Sequence, residues 1–157
     1  MPQIVKGGKH VFGLSEVHEN YRIKVPLESF YEYRLHEVKV VVLISGSEAS
    51  GGFSIHTIEK LQHSRLSILL ETIQYNGKDD SFGVEECSLN RYKNRIISWM
   101  KFDEIANFFL CEEMAKRLGQ KVGDKLVVIR GGSNGPTFAA KGPIYEEALK
   151  HHDLELC

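Results

Sequence analysis

The run Arg91-Tyr92-Lys93-Asn94-Arg95, followed by Trp99 and Lys101, interleaves cationic and aromatic side chains. Contact with a phosphate backbone needs that chemistry, because Lys and Arg neutralise phosphates while neighbouring rings and amides fix position. The same pattern also suits an edge strand guarded by charge. A second cationic pair, Arg22 and Lys24, alternates with Ile23 and Val25. Side chains alternate across a strand, so a strand that buries Ile23 and Val25 turns both cations outward. That geometry fits a duplex-facing pair and equally any half-exposed strand.

Other reactive residue types do not assemble into a site. His10, His18, His36, His56 and His63 share no metal-ligand spacing, and His151-His152-Asp153 lies in a tail. Cys87, Cys111 and Cys157 are an odd, scattered set without a CxxC, which reads as free thiols. Cys111 opens a predicted helix and reads as a small packing residue. The Gly-rich stretches from Ser45 to Gly52 and from Gly131 to Gly142 contain neither a P-loop GK[ST] nor a GxGxxG opening a helix, and read as hairpin turns. With no Ser/His/Asp order and no carboxylate pair, the expectation is a non-enzyme with no catalytic residues, no metal and no cofactor.

The formal net charge of -1 on 157 residues gives no global attraction to nucleic acid, so any such binding must come from a local patch. Cations favour the later part of the chain: residues 93–131 hold eight Lys/Arg against five Asp/Glu, whereas residues 8–46 hold five of each. A composition of 42% apolar and 26% charged residues is ordinary for a globular chain. The longest apolar run, Val40 to Ile44, is far short of the roughly 20 residues of a membrane span. Met1 to Lys9 has no signal-type apolar stretch. A cytoplasmic protein that does not enter the membrane is expected.

Strands are predicted over Lys9 to Val17, Tyr21 to Val25, Val38 to Ser45 and Phe53 to His56, with Pro26 opening a short helix. Further on, strands are predicted over Arg95 to Phe102, Asn107 to Leu110, Lys125 to Arg130 and Thr137 to Lys141, with a helix from Cys111 to Leu118 capped by Gly119. Between the two sets, apolar residues from Ile58 to Ile73 recur at helical spacing over Thr57 to Gln74, and Asn76 to Ser81 is a loop. A short helix is expected over Pro143 to His151.

These two sets are one pattern written twice. Residues 8–56 overlie residues 93–141 at a constant offset of 85 without a gap. Six identities in 49 positions (Glu19, Glu28, Val42, Ile44, Gly46 and Phe53 on Glu104, Glu113, Val127, Ile129, Gly131 and Phe138) would alone be near chance. The apolar skeleton strengthens the match: Val11, Val17, Ile23 and Val25 meet Ile96, Phe102, Phe108 and Leu110. Four segments follow: a first repeat over 1–56, a helical connector and loop over 57–92, a second repeat over 93–141, and a short helix or tail over 142–157.

Arg22-Ile23-Lys24-Val25-Pro26-Leu27-Glu28 in the first copy, and Leu118-Gly119-Gln120-Lys121-Val122-Gly123-Asp124 before Lys125-Leu126-Val127-Val128-Ile129 in the second, resemble the AbrB/MazE/SpoVT family of DNA-binding domains. That family's signature runs Gly-Arg, a strand, Ile-Pro, a Glu, then Leu-Gly and Gly-Asp before a strand. The resemblance implies a mainly-β fold with short helices, in which two copies interleave their hairpins into a swapped-hairpin β-barrel, here closed within one chain as a pseudo-dimer. It further implies a transcriptional regulator that binds double-stranded DNA, with Arg22, Lys24, Lys93, Arg95 and Lys101 as phosphate contacts. Of the family's DNA-contacting arginines only Arg22 stands at its place: Tyr21 replaces the preceding glycine, Ser15, Phe30 and Tyr31 occupy the other positions, and the second copy reads Ala106-Asn107 with Cys111 for the proline. The alternative is an interaction module that keeps the barrel without DNA, offering the connector helix or Phe30-Tyr31-Tyr33 to a protein partner or another copy of itself.

Overall fold

In a computed structural model, residues 3–4, 10–46, 51–78, 80–130, 135–151 and 154–157 are described. The expected strand start at Lys9, most of the turns at 46–52 and 131–136, Asp79 of the loop, and His152-Asp153 lie outside them. The protein is mainly β with short helices. Among the described residues the strands run β1 (Gln3–Ile4), β2 (His10–Glu16), β3 (Arg22–Lys24), β4 (Val40–Ser45), β5 (Phe53–His56), β6 (Asn90–Tyr92), β7 (Arg95–Lys101), β8 (Asn107–Phe109), β9 (Lys125–Ile129) and β10 (Thr137–Ala139). The α-helices among the described residues are α1 (Leu27–Glu32), α2 (Ile58–Gln62), α3 (Leu69–Thr72), α4 (Glu112–Leu118) and α5 (Pro143–Ala148).

Strand order explains why two similar halves fold as one body. An eight-stranded antiparallel sheet runs β1-β2-β9-β10-β5-β4-β7-β6, and β3 pairs with β8 in a separate ribbon. The first strand of each half thus pairs with the third strand of the other. Pairing is reciprocal at the sequence offset: Leu14 faces Val127 as Trp99 faces Val42, and Ser15 faces Leu126 as Met100 faces Val41. Loop hydrogen bonds repeat in the same way. Val25 N–H donates to Ala106 O at 2.9 Å and Leu110 N–H to Tyr21 O at 3.1 Å, while Val17 N–H donates to Asp124 O and Phe102 N–H to Lys39 O, both at 2.8 Å. Ile23 faces Phe108, and Phe53 faces Phe138, so residues 85 apart meet each other where the two halves adjoin.

Side-chain alternation builds a central core and two outer ones. Val41 and Leu43 of β4, and Leu126 and Val128 of β9, point to the central cluster with Phe12, Ile23, Phe53, Phe108 and Phe138. Burial on the opposite face follows from what covers it: Val40, Val42 and Ile44 pack under Leu61, Leu69 and Leu70, and Val127 and Ile129 pack under Ala148 and Leu154. With both faces covered, β4 and β9 read as continuous apolar runs rather than as alternation.

Three expectations need correction. First, the sheet is open: β1 and β6 are its ends, and no ring of hydrogen bonds closes it into a barrel among the described residues. Second, Thr57–Gln74 is not one helix. Thr57 Oγ1 caps α2 by accepting Lys60 N–H at 3.2 Å, and Ser64 Oγ then accepts Leu66 N–H at 3.1 Å and starts a 3-10 turn before α3. Each hydroxyl offers the backbone a competing partner and restarts the chain direction. Third, the segment 57–92, expected as helical connector and loop, ends in a strand, β6, which forms a hairpin with β7.

Candidate nucleic-acid interface

The five predicted cations fall in three places. Arg22 and Lys24 stand on the outer face of the β3–β8 ribbon, half-buried, with Ile23 and Phe108 wholly buried behind them. Arg22 Nη1 donates to Asn107 Oδ1 at 3.0 Å, across the 85-residue offset. Two arginines at these matched positions would repel; Asn107 instead accepts from Arg22 and fixes its guanidinium. The setting is mixed in charge, since Glu19 shares a shallow hollow with Arg22, His18, Asn20 and the half-exposed Phe109. On the Lys24 side, Asp103 Oδ1 accepts the backbone N–H of Asn107 at 2.7 Å.

Lys93 and Arg95 belong to the β6–β7 hairpin. Tyr92 pairs with Arg95 across the turn Lys93-Asn94, where Lys93 takes a left-handed φ of 53°. Lys93 Nζ lies 5.5 Å from the centre of the Tyr92 ring. Cross-strand partners share a face, so Tyr92 and Arg95 point one way and Arg91, opposite Ile96, points the other. Ile96 belongs to the central core, which brings Arg91 to the end of α4. There Arg91, Asn94 and Arg117 line a cleft with Ser45 and backbone of Gly46, Gly51 and Gly52. Neither the Arg91 nor the Arg117 side chain has a hydrogen bond or ion pair among the described residues.

Lys101 is not part of that surface. It ends β7 six residues after Arg95, about 20 Å away at the usual strand rise. It lines a different cleft with His36, Glu37, Lys39, Asp80, Asp103 and Glu104, where four carboxylates outnumber the two lysines.

Sequence reasoning passed over Arg117, which sits in the last turn of α4. The repeat alignment held the signal. At the offset of 85, Arg117 stands for Glu32 and Ser45 for Arg130, so the charge pair at one junction of the two copies is absent from the matching junction. At one junction of the two copies the pair is closed: Arg130 Nε donates to Glu32 Oε2 at 2.8 Å and Nη2 donates to Oε1. Arg130 also lies 5.5 Å over Phe12, and the Glu32 carboxylate raises its guanidinium pKa further.

The aromatic cluster proposed for a protein partner is mostly interior. Phe30 and Tyr33 are buried in the central core, and only Tyr31 is exposed. Among the described residues, no group of three or more His, Cys, Asp or Glu is placed to hold a metal ion, and no helix is long and apolar enough to cross a membrane. No protein-family model and no curated protein matches this chain.

Proposed function

We propose that this chain is an AbrB-like swapped-hairpin unit folded from two internal copies, and that it binds double-stranded DNA as a non-enzymatic transcriptional regulator, through phosphates more than bases. The reciprocal pairings, β2 with β9 and β4 with β7, support the interleaved reading of the fold. One observation carries the DNA reading: the β6–β7 hairpin carries Lys93 and Arg95 at its turn and sets Arg91, on the opposite face from Arg95, beside Arg117, and among the described residues no carboxylate lines the cleft between Arg91 and Arg117. A cationic β-hairpin projecting from a rigid sheet is a fitting tool for tracking a phosphate backbone. The ribbon cations Arg22 and Lys24 are secondary contacts on this reading, because Asn107 and Glu19 already occupy their surroundings. Lys101 contributes little.

The test is fluorescence anisotropy on a labelled duplex across a salt series, with the wild type beside Arg95→Ala, Lys93→Ala and Arg22→Ala. Binding should weaken with salt, and each hairpin variant should lower the log–log slope by about one phosphate. Arg22→Ala should cost less affinity than Arg95→Ala. Absence of binding at low salt refutes the reading.

A further inference from the structure

We infer that the cleft between Arg91 and Arg117 is a seat for one phosphate group, which on the DNA-binding reading is a backbone phosphodiester of the duplex. The inference deepens that reading and rests on it for the source of the phosphate, but not for the chemistry of the seat.

Its parts come from three elements held by the core. Arg91 is fixed on β6 by its pairing with Ile96, and Arg117 by the last turn of α4, whose next residue, Leu118, is buried. Ser45 ends β4 and its Oγ accepts the Ile96 N–H at 2.9 Å, which leaves the hydroxyl proton for an anion. Asn94 adds an exposed carboxamide from the hairpin turn. Guanidinium groups and phosphate oxygens match in geometry as well as charge, since each guanidinium can give two parallel N–H bonds.

The matching junction of the two copies is an internal control. At the matched place Arg130 and Glu32 form a two-bond ion pair, so that corner carries its own anion. Exchanging those residues for Ser45 and Arg117 removes the internal carboxylate and adds a cation from the helix. Two guanidiniums lining one cleft, with no counter-charge among the described residues, raise the local potential, and an incoming phosphate relieves it. The same backbone position is therefore self-satisfied at one end and open to an anion at the other.

Transplanting the closed corner tests the seat. Ser45→Arg with Arg117→Glu rebuilds the pair seen at Arg130 and Glu32; Arg117→Gln removes one charge with little change of shape and covers the case in which the double variant fails to fold. Inorganic phosphate titrated into the wild type should shift the amide resonances of Ser45, Asn94 and Ile96, and should leave them unmoved in either folded variant. For the duplex, each variant should lower the salt slope by about one. Unchanged phosphate shifts together with an unchanged duplex slope overturn the seat and leave the DNA reading standing. Phosphate shifts in a wild type that binds no duplex overturn the DNA reading, support the seat, and turn its source to a free phosphate or phosphomonoester.

Discussion

Cys87 shows how burial near β7 controls the chemistry of a single side chain. Its backbone N–H donates to Trp99 O at 2.9 Å, its Sγ accepts the Cys111 N–H at 3.0 Å, and the Cys111 thiol donates to Cys87 O at 3.2 Å. Burial, followed by the neighbouring Cys111 side chain, pushes the Cys87 thiol from 9.0 to about 12, against a smaller lowering by the Cys111 N–H. Tyr33 moves in the same direction, from 10.0 to about 12, through burial and the Glu32 carboxylate, with Arg130 opposing. Both folded-state values lie above the unfolded ones. From about pH 9 to about pH 12 the unfolded chain therefore binds fewer protons than the native one, and stability falls as pH rises. Below that window neither group changes stability with pH. Urea midpoints followed through the window should decline, and Cys87→Ser should flatten the lower part of the decline. An equally steep loss in Cys87→Ser would remove Cys87 as a cause.

At the scale of elements, the helix ends and the β5–β10 contact separate two costs of adding one methyl group. Gly119 ends α4 at a left-handed φ of 72°, and a Cβ there would meet nothing within 4 Å. Only backbone strain opposes Gly119→Ala, so it should lower stability by about 1 kcal/mol. At Gly52 the added Cβ would lie 1.6 Å from Phe138 O, in the strand paired with β5. Backbone on both sides must move, and Gly52→Ala should cost more, about 3 kcal/mol. Urea denaturation of both variants checks the ranking; a Gly52→Ala protein as stable as Gly119→Ala would contradict the tight approach.

Much of this layer was legible in the sequence: β4 and β9 follow β-branched apolar runs, β2 and β7 follow apolar stretches, and α1 and α4 begin after Pro26 and Cys111, at the repeat offset. The breaks in the connector were not, because the Ser64 cap competes with an apolar period that still looks helical. Strand β6 was hidden too, since Asn90–Tyr92 has little apolar content and is held by its pairing with β7. The placement of the cations was hidden for the same reason: the sequence put Arg95 and Lys101 in one run, while the fold sets them at opposite ends of β7 and lines the cleft with Arg91 and Arg117.

For the whole molecule, the pairing order decides how it comes apart. Residues 10–56 taken alone would keep the β4–β5 hairpin but lose β9 from β2 and β7 from β4. Residues 90–139 alone would keep the β6–β7 and β9–β10 hairpins and lose the same partners. Isolated two-stranded hairpins are marginal in water, so neither half has a stable state to fall back on. Unfolding should thus be one cooperative transition. Trp99 supplies a local probe: its Nε1–H donates to Val84 O at 2.9 Å and its ring stacks on Phe82 at 4.7 Å, on the outer face of β7. Its fluorescence should change at the same urea concentration as far-UV circular dichroism, which reports the backbone of both halves. Separate midpoints would mean that the connector cluster opens on its own. Because both halves of every cross-pair lie on one chain, the joint midpoint should not move with protein concentration, whereas strands exchanged between two chains would raise it as concentration rises.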